Sequence, residues 1–552
     1  MKNALITVSN KNNIENISRF LLDNGFTIYS TGGTYSKISE FFPDLQDQIV
    51  KISDYTKFPE ILGGRVKTLN PLIYGGILPD LNNKDHLDQL KSLNINVFSV
   101  VIVNLYPFEE QNSIENIDIG GVSLIRASSK NYEHVSILTC PSQYQSFMNS
   151  FQLNNGNIDK FLKKEWAKAG FLHTSTYDKH IYNYLNDSVD ESLKYGMNPH
   201  QTPAFVNSNN AFSILNGTLG YINVLDFLHG WLMAYEVFKA TNKITFTSMK
   251  HTSPAGLAIG NNISEKTLDI FGIDAQTRSN LNECSLAFIK SRSCDPLSSF
   301  GDFICCSSTV DGQTAELIKK EVCDGIAATD FTDDALEILK TKKNGRFIII
   351  KMNTDYYDDM NRDGWTETKS IYGVTLTQPN NYFIFNPTEY DFKADDYDAI
   401  ISYIVLKYSQ SNNISMVYNG QLIGLGCGQQ NRVGCVELAG EKSLTWRLRH
   451  HSDTISYYNS LPENLKRQEK VNLVYEYICK NKDELCKNIT PCNITLGSDG
   501  FFPFPDNIEV AGKYGVTRIL QPGGSIADET VFKRCEELNI SMKNIGSRMF
   551  YH

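Results

Sequence analysis

Several patterns that mark secreted, membrane-spanning and zinc-binding proteins do not occur in this sequence. Its 12 cysteines are spread over 552 residues without one C-x-x-C pair, so neither a disulfide framework nor a structural zinc site is expected. No window approaches the roughly 18 consecutive apolar residues of a membrane span, and the apolar run within residues 1–9 is too short for a signal peptide. We therefore expect a cytosolic protein with buried, unpaired thiols.

Positive charge is not in excess either. The chain carries 52 Lys and Arg against 62 Asp and Glu, which gives a net charge of -10 and a pI near 5.6. This balance argues against broad binding to nucleic acid or to an anionic membrane, while it allows a local basic pocket for a small anion. The expected partner is a small molecule.

The first 150 residues alternate short apolar strands with helical patterns. Apolar, β-branched runs occupy residues 4–8, 97–103 and 135–138, and helical spacing separates them. Such runs predict an α/β fold with a parallel sheet that is buried on both faces. Ligands of such sheets bind at the carboxyl ends of the strands.

A polar segment after a long helical stretch predicts a domain boundary. Residues 186–192 read N-D-S-V-D-E-S, a composition that is typical of a linker. We therefore expect one domain over residues 1–186 and a second region over 193–552, which by size forms two α/β subdomains. No tandem repeat is visible, although a diverged duplication of the two subdomains would not show in a single sequence.

Two polar turns follow the first two strands, and each precedes a helix. They consist of Ser9, Asn10 and Lys11, and of Thr31, Gly32, Gly33 and Thr34. Free backbone N–H groups at helix amino termini favour phosphate, but an ordinary strand-to-helix connection is an equally good interpretation. A later glycine-rich loop contains Arg65 and Lys67 and resembles a second anion clamp.

Groups that can exchange protons lie further along the same domain. Asn104 and Tyr106 follow a buried strand, and Asp118 and Lys130 come next. Each of them alone is better explained as a surface charge or a capping group. Together they indicate a catalytic centre.

Lys250 and His251 form the most informative pair in the chain. Residues 244–249 alternate like a strand, and Pro254 and Gly256 predict a turn directly after the pair. A histidine beside an ammonium suits a general base next to an oxyanion stabiliser. On these two residues alone, a structural histidine beside a solvated lysine is the favoured alternative.

Motifs in order along the whole chain carry a resemblance to a known family. They are G-G-R-V-K-T-L at 63–69, N-L-Y-P-F at 104–108, D-I-G-G at 118–121, Y-G-M-N-P-H-Q at 195–201, K-H-T-S-P-A-G at 250–256, S-S-F-G-D-F at 298–303, S-D-G-F-F-P-F at 498–504 and R-M-F-Y-H at 548–552. The chain resembles the bifunctional purine-biosynthesis enzymes that join phosphoribosylaminoimidazolecarboxamide (AICAR) formyltransferase to IMP cyclohydrolase. The resemblance implies a methylglyoxal-synthase-like amino-terminal domain and a transformylase of two cytidine-deaminase-like subdomains. The zinc deaminase signature is absent from the sequence, which disfavours hydrolytic deamination.

The resemblance assigns roles in formyl transfer from 10-formyltetrahydrofolate to AICAR. His251 would take the amine proton, and Lys250 would stabilise the oxyanion. Residues that would contact AICAR are Lys194, Tyr195, Gly301, Asp324, Asn412, Arg432 and Arg548. Residues that would contact folate are Val433, Phe501, Asp506, Ser525, Ile526 and Phe550. No catalytic metal is implied, whereas a homodimer with sites at its interface and a structural potassium ion without an assigned ligand are.

The resemblance also assigns the ring closure of formyl-AICAR to IMP. Lys67, Lys130, Tyr106 and Asp118 would be catalytic. The substrate would contact Ser9, Asn10, Lys11, Thr31, Gly32, Gly33, Thr34, Arg65, Val66, Thr68, Val103, Asn104 and Ile119. An intramolecular closure gains chiefly from positioning.

Three residues depart from the family pattern. Lys194 stands where arginine is usual, so a bidentate contact becomes a point contact. Asn70 and Tyr132 stand where histidine is expected, but neither position is assigned a proton transfer. Both activities are therefore still predicted.

Two other functions compete with this interpretation. A non-catalytic purine-nucleotide-binding regulatory protein would keep the pockets, but retention of Lys67, Lys130, Lys250 and His251 counts against it. A lyase acting on a small phosphorylated sugar would follow from the amino-terminal fold alone and would leave most of the chain unexplained.

Overall fold

The computed structural model describes residues 2–108, 113–185, 190–360 and 365–552, and the chain divides into two compact units. The first unit is Met1–Val189 and the second is Asp190–His552. This division falls in the segment where the sequence predicts a linker. No helix in the described ranges is long and apolar enough to cross a membrane.

A parallel sheet forms the centre of the first unit, as predicted. Its strand order is β3-β2-β1-β4-β5. The strands are β1 (Lys2–Val8), β2 (Phe26–Ser30), β3 (Ile49–Lys51), β4 (Val100–Asn104) and β5 (Ser136–Leu138). Ala4, Leu5 and Ile6 have no exposed surface, because helices cover both faces of the sheet.

Helices of the first unit follow the strands as the spacing of apolar residues predicts. Ile14, Ile17 and Leu21 bury one face of the first helix. The helices are α1 (Ile14–Asp23), α2 (Gly32–Phe41), α3 (Ile52–Thr56), α4 (Pro71–Ile77), α5 (Lys84–Ser92), α6 (Gly120–Lys130), α7 (Tyr144–Leu153) and α8 (Lys160–Leu185). Asn70 accepts a hydrogen bond from the Leu72 N–H at 2.9 Å and so caps α4, which gives this departure from the family pattern a structural role.

One mixed sheet of 11 strands forms the centre of the second unit. Its order is β20-β19-β18-β16-β17-β10-β9-β11-β12-β13-β8. These strands are β8 (Phe212–Asn216), β9 (Thr245–Lys250), β10 (Ser253–Ile259), β11 (Asp302–Val310), β12 (Cys323–Phe331), β13 (Ile348–Met352), β16 (Ile414–Tyr418), β17 (Gln421–Gly426), β18 (Ile494–Ser498), β19 (Val516–Gln521) and β20 (Ser541–Asn544). Two separate pairs are β6 (Asp190–Leu193) with β7 (Ala204–Asn207), and β14 (Thr366–Ile371) with β15 (Val374–Pro379).

The second unit also contains helices, several of which pack against strands of the large sheet. They are α9 (Tyr221–Thr241), α10 (Glu265–Phe271), α11 (Ala275–Arg278), α12 (Glu283–Arg292), α13 (Gly312–Lys319), α14 (Asp333–Lys340), α15 (Thr354–Met360), α16 (Tyr397–Lys407), α17 (Arg432–Arg449), α18 (Ser452–Ser460), α19 (Arg467–Lys487), α20 (Asp506–Lys513) and α21 (Asp528–Glu537).

The second unit is built from two halves of the same topology. Apart from α10 and α11 in the first half and α18 and α19 in the second, the first half runs α9-β9-β10-α12-β11-α13-β12-α14-β13 and the second runs α16-β16-β17-α17-β18-α20-β19-α21-β20. The halves join through the antiparallel strands β10 and β17, where Ala258 pairs with Gln421. The second unit thus consists of two α/β halves, and the duplication that the sequence hides is visible in the strand order.

The antiparallel join reverses the second half relative to the first. Strands β10, β11 and β12 begin at the sheet edge at which β17, β18, β19 and β20 end. We call this edge the site edge and define it by Lys250, Asp302, Gly426 and Ser498. At the site edge, the parallel strands of the first half begin, whereas the parallel strands of the second half end.

Candidate functional site

Residues predicted to contact AICAR and folate lie along the site edge. Lys250 ends β9, Gly301 precedes β11 and Asp324 lies at the start of β12. In the second half, the loops at this edge contain Asn412, Phe501, Ser525, Ile526, Arg548 and Phe550, while Arg432 and Val433 begin α17 and Asp506 begins α20. The Ser253 hydroxyl lies 3.8 Å from the Cys427 thiol, which brings the two halves together beside the hairpin.

The hairpin between β9 and β10 presents the predicted catalytic pair. Lys250 pairs with Ser253, so His251 and Thr252 form a two-residue turn. The predicted turn at Pro254 and Gly256 is wrong, because these residues lie in β10 around a register shift. The β10 backbone pairs with β9 through the bulge, and this pairing overrides the local turn preference.

One cavity of about 370 Å³ brings together the first group of predicted residues. Its lining includes Lys194, Tyr195, Lys250, His251, Gly301 and Asp324. Asn223 and Asp226 also line the cavity, and neither is predicted from the sequence. An aspartate within the apolar helical run of α9 was the available signal, since a buried acid requires a partner.

Lys250 is held toward the loop that precedes β11. Its Nζ donates hydrogen bonds to Phe300 O at 3.0 Å and to Gly301 O at 2.7 Å. Gly301 has a φ of 67°, and a Cβ at this position would lie 3.3 Å from the Lys250 Nζ. The glycine therefore serves both the backbone conformation and the close approach of the ammonium group.

Ion pairs surround the cavity and fix its walls. The Asp324 carboxylate pairs with Lys343 at 2.7 Å. Behind the Gly301 loop, buried Arg292 donates to Asp302 at 2.5 Å and to Ser299 O at 2.7 Å. Both charges of the Arg292–Asp302 pair are buried, so loss of Arg292 would leave the Asp302 carboxylate without its cation, whereas Arg292 also pairs with Glu321 at 3.4 Å.

A second polar cluster occupies the other half of the site edge. Arg432 donates to the Asp499 carboxylate at 2.5 Å and to the Asn412 Oδ1 at 2.6 Å. The Arg548 guanidinium lies 4.3 Å from the centre of the Phe550 ring. Two predicted substrate residues, Asn412 and Arg432, are thus in direct contact with each other.

Apolar side chains are exposed beside this cluster. Phe501 is 44% exposed, Phe550 is 40% exposed and Ile526 is completely exposed. Such surface can stack against a flat aromatic ligand. Asp506 bonds to the Asn507 N–H at 2.7 Å, and Ser525 accepts a bond from the Ala527 N–H at 3.1 Å.

The two polar turns of the first unit come together at the carboxyl ends of β1 and β2. Asn104 Oδ1 accepts hydrogen bonds from the Ser9 N–H at 2.6 Å and from the Asn10 N–H at 2.9 Å. Thr34 donates its hydroxyl to Val8 O at 3.0 Å. Thr31 lies beside Thr7, with their hydroxyl oxygens 3.1 Å apart. The pocket predicted from separate strands is therefore a single cluster, with Lys11, Gly32 and Gly33 in the same turns and Val103 buried in β4.

Lys67, Tyr106 and Asp118 also come together. Burial raises the pKa of Asp118, while the Gly121 N–H, the positive charge of Lys67 and the backbone of Tyr106 lower it. The Lys67 Nζ lies 3.7 Å from the position that a Cβ on Gly32 would occupy. A cation and a half-buried carboxyl thus lie next to the polar turns.

Other predicted residues lie around this centre. Thr68 is buried against Gly120, Val66 lies next to Lys67, and exposed Ile119 precedes α6. Arg65 forms an ion pair with Glu115, and both side chains are largely exposed.

Lys130 is not brought to this centre. It ends α6, whose 11 residues span about 15 Å, so it lies one helix length from Asp118. Lys130 and Tyr132 line a different cavity of about 630 Å³ together with Arg126 and Phe171. Its predicted part in proton transfer stays a prediction.

Metal binding was not predicted for catalysis, and the described ranges contain no group of three or more His, Cys, Asp or Glu side chains placed to hold a metal ion. The cysteines are free thiols.

Comparisons with known proteins match the whole chain. The family described as "AICARFT/IMPCHase bienzyme" matches residues 128–442, and the "MGS-like domain" family matches residues 13–130. A bifunctional purine biosynthesis protein PurH of Leptospira biflexa is 32% identical over 100% of this chain and 99% of its own length.

Two further relatives carry the same name. The protein from Prochlorococcus marinus (strain MIT 9211) is 32% identical over 100% of this chain and 99% of its own length. The protein from Clostridium botulinum (strain Kyoto / Type A2) is 33% identical over 100% of both chains. With matches of this extent, the chain belongs to the AICARFT/IMPCHase bienzyme family.

Proposed function

We propose that the Asp190–His552 unit carries out formyl transfer at the site edge and that the Met1–Val189 unit carries out ring closure beside Asp118. The chain is a bifunctional enzyme with AICAR formyltransferase and IMP cyclohydrolase activities, which are the last two steps of IMP synthesis. Its formyl donor is a formylated folate. The observation that carries the proposal is the cavity that unites His251 and Lys250 with four further predicted residues.

Formyl transfer begins with attack of the AICAR amine on the formyl carbon. His251 takes the proton that the amine loses, and the Lys250 ammonium stabilises the oxyanion of the tetrahedral intermediate. The bond from carbon to the folate nitrogen then breaks, and that nitrogen takes a proton with the help of Lys250. Lys250 already donates to two carbonyl oxygens, which supports its role as a donor at this point.

Both substrates would bind along the site edge. AICAR would contact Lys194, Tyr195 and Asp324 in the cavity, with Asn412 and Arg432 from the second half. The single ammonium of Lys194 makes a weaker anion contact than arginine would. Exposed Phe501 and Phe550 offer apolar faces for the flat ring of folate.

Ring closure needs the carboxamide nitrogen of formyl-AICAR to attack the formyl carbon, after which water leaves. We assign proton transfer to Lys67 and Asp118, whose charges interact beside the polar turns. Asn104 and Tyr106 would orient the carboxamide, and the turns at Ser9 and Thr31 would hold the phosphate. Lys130 ends α6, about one helix length from Asp118, and its part in proton transfer stays a prediction.

A homodimer, a cytosolic location and a structural potassium ion complete the proposal. The exposed Phe501, Phe550 and Ile526 support a partner surface near the transformylase site. Potassium takes oxygen ligands, chiefly carbonyls, and no residue is assigned to it. No step of either reaction depends on potassium.

The test is to mix purified protein with AICAR and 10-formyltetrahydrofolate, to follow tetrahydrofolate by absorbance and to identify the nucleotide by chromatography. IMP that is lost in His251→Ala supports both halves of the proposal. Formyl-AICAR without IMP would contradict the ring closure. AICAR binding without any tetrahydrofolate would favour the regulatory protein instead. Light scattering of the same sample tests the dimer.

A further inference from the structure

The turn that carries His251 has a backbone conformation that its residues do not favour. His251 and Thr252 are the two central residues of the β9–β10 turn, with φ of 53° and 58°. Positive φ at both central positions is the geometry for which Asn-Gly is preferred, and a β-branched threonine resists it. Another contact is therefore needed to hold this turn.

A buried carboxylate supplies that contact. Asp226 lies in α9, only 6% of it is exposed, and its Oδ1 accepts a hydrogen bond from the Thr252 N–H at 2.7 Å. Burial raises the pKa of Asp226, while the Thr252 N–H, the imidazoles of His251 and His229 when they are protonated, and the Lys250 ammonium lower it. From β11, the Cys305 thiol also faces this carboxylate. The turn thus rests on a fixed acceptor in the core.

The same helix also supports the chain next to the predicted AICAR residues of the second half. His229, one turn after Asp226, donates from Nδ1 to Leu225 O at 2.7 Å and accepts at Nε2 from the Tyr551 hydroxyl at 2.5 Å. The Tyr551 N–H donates to the Ser411 Oγ at 3.1 Å. Helix α9 is therefore a common support for both sides of the site.

We propose that Asp226 is a positioning residue for formyl transfer, which holds the His251–Thr252 turn through the Thr252 N–H and so keeps His251 directed into the cavity. This inference rests on the formyl transfer proposed above. Asp226 acts through the Thr252 backbone and not on the reacting atoms. Loss of the contact should therefore lower kcat far more than it weakens AICAR binding.

Three variants test the hydrogen bond separately from the charge. Asp226→Ala removes both, and a displacement of about 1 Å in His251 should lower kcat by about 100-fold. Asp226→Asn keeps an oxygen acceptor, so it should retain kcat within about tenfold of the wild type. Adding Thr252→Gly to Asp226→Ala should recover part of the lost kcat, because glycine adopts positive φ without support.

The second half of the sheet supplies a matched control. Asp398 in α16 accepts the Gly420 N–H at 2.6 Å and the Asn419 N–H at 3.0 Å, so it holds the β16–β17 turn in the same way. That turn lies at the edge opposite the site. Asp398→Ala should lower thermal stability and leave the kcat of the folded protein within about threefold of the wild type.

Ring closure measured with supplied formyl-AICAR on the same preparations reports on the first unit. Asp226→Ala with ring closure intact, lowered kcat, and an AICAR KM within about threefold of the wild type would support the proposal. Wild-type kcat in Asp226→Ala would overturn it. Equal loss of kcat in Asp226→Ala and Asp398→Ala would also overturn it, in favour of a general folding role. Absence of tetrahydrofolate from the wild type would instead contradict the proposed function.

Discussion

Each half of the large sheet contains a hairpin with a two-residue turn, but the turn residues of the two hairpins differ. In the first half, the turn residues are His251 and Thr252, and Asp226 accepts one backbone N–H. In the second half, the turn residues are Asn419 and Gly420, with φ of 50° and 69°, and Asp398 accepts both N–H groups. The two halves thus share one topology, whereas the residues of their turns have different chemistry.

The difference indicates which half is optimised for stability. Asn-Gly is the preferred pair for a turn with positive φ at both central residues, so the second half meets its geometry without strain. His-Thr meets the same geometry poorly, but it places an imidazole at the cavity. The first turn therefore keeps an imidazole at the cavity although its backbone conformation is strained, and a buried carboxylate supports that conformation.

The largest effect should come from removing the imidazole of the first turn. His251→Ala should lower the kcat of formyl transfer by about 10²–10⁴-fold, because a general base contributes about that much. Asn419→Ala, its counterpart in the other turn, should change kcat by less than about threefold. Tetrahydrofolate release under saturating substrates measures both. Equal losses in the two variants would erase the distinction between the turns.

A buried lysine supports the second turn, and its effect should depend on pH. Lys290 is 2% exposed, and its Nζ donates to Asn419 O at 2.8 Å and to the side chain of Asn261. Burial lowers the pKa of Lys290 to about 8, although Asp398 and Cys294 act in the opposite direction. A lysine in the unfolded chain has a pKa near 10.4, so the unfolded state binds the proton more tightly.

Stability should therefore rise as the pH increases from 8 to 10. Over this range the unfolding free energy of the wild type should rise by about 2 kcal/mol more than that of Lys290→Met, in which the titrating group is absent. Denaturant unfolding at each pH measures this difference in unfolding free energy. Hydrogen exchange of the backbone amides in β16 and β17 measures the local effect near the turn. Parallel curves for the two proteins would show that Lys290 titrates normally.

A smaller loss should follow from adding one methyl group to the second turn. Gly420 has a φ of 69°, and a Cβ there would lie 2.6 Å from the Ile259 Cγ1. Gly420→Ala should therefore lower the unfolding free energy by about 1–3 kcal/mol. Formyl transfer per folded molecule should be unchanged, because this turn lies away from the site edge. A matched loss of kcat would mean that the halves are coupled.

The sequence predicts the parts of this fold that local patterns determine. Continuous apolar runs identify strands β1, β4 and β5, since strands buried on both faces need no alternation. Strand β3 (Ile49–Lys51) escaped because its I-V-K sequence has only two consecutive apolar residues, too few to form a continuous apolar run. The duplication is not predicted from the sequence, because it is visible only in the strand order and the strand pairing. Both depend on contacts between segments that are distant in the chain.

The sequence predicts those site residues whose side-chain chemistry and place at a strand end point to the same function. It does not predict residues that join the site only through contacts distant in sequence. Residue types single out Lys250 and His251, which line one cavity, but local preference predicts the turn at Pro254 because it does not reveal a bulged strand. Asp226 was missed because only the folded chain shows that a backbone N–H from Thr252 meets it. Lys130 is predicted to act beside Asp118, but the rise along α6 separates their backbones, so this assignment stays a prediction.

The smallest effect should come from giving the first turn a residue of the second. Thr252→Gly removes a β-branched side chain at a φ of 58°, which relieves backbone strain, but glycine also gains freedom in the unfolded chain. The two effects oppose each other, so the unfolding free energy should change by less than about 1 kcal/mol. Because Asp226 still accepts the N–H of residue 252, His251 should keep its place, and kcat should stay within about threefold of the wild type. Steady-state rates and denaturant unfolding of this variant measure both quantities. A large loss of kcat would mean that the threonine side chain itself, and not the backbone contact to Asp226, holds the catalytic turn.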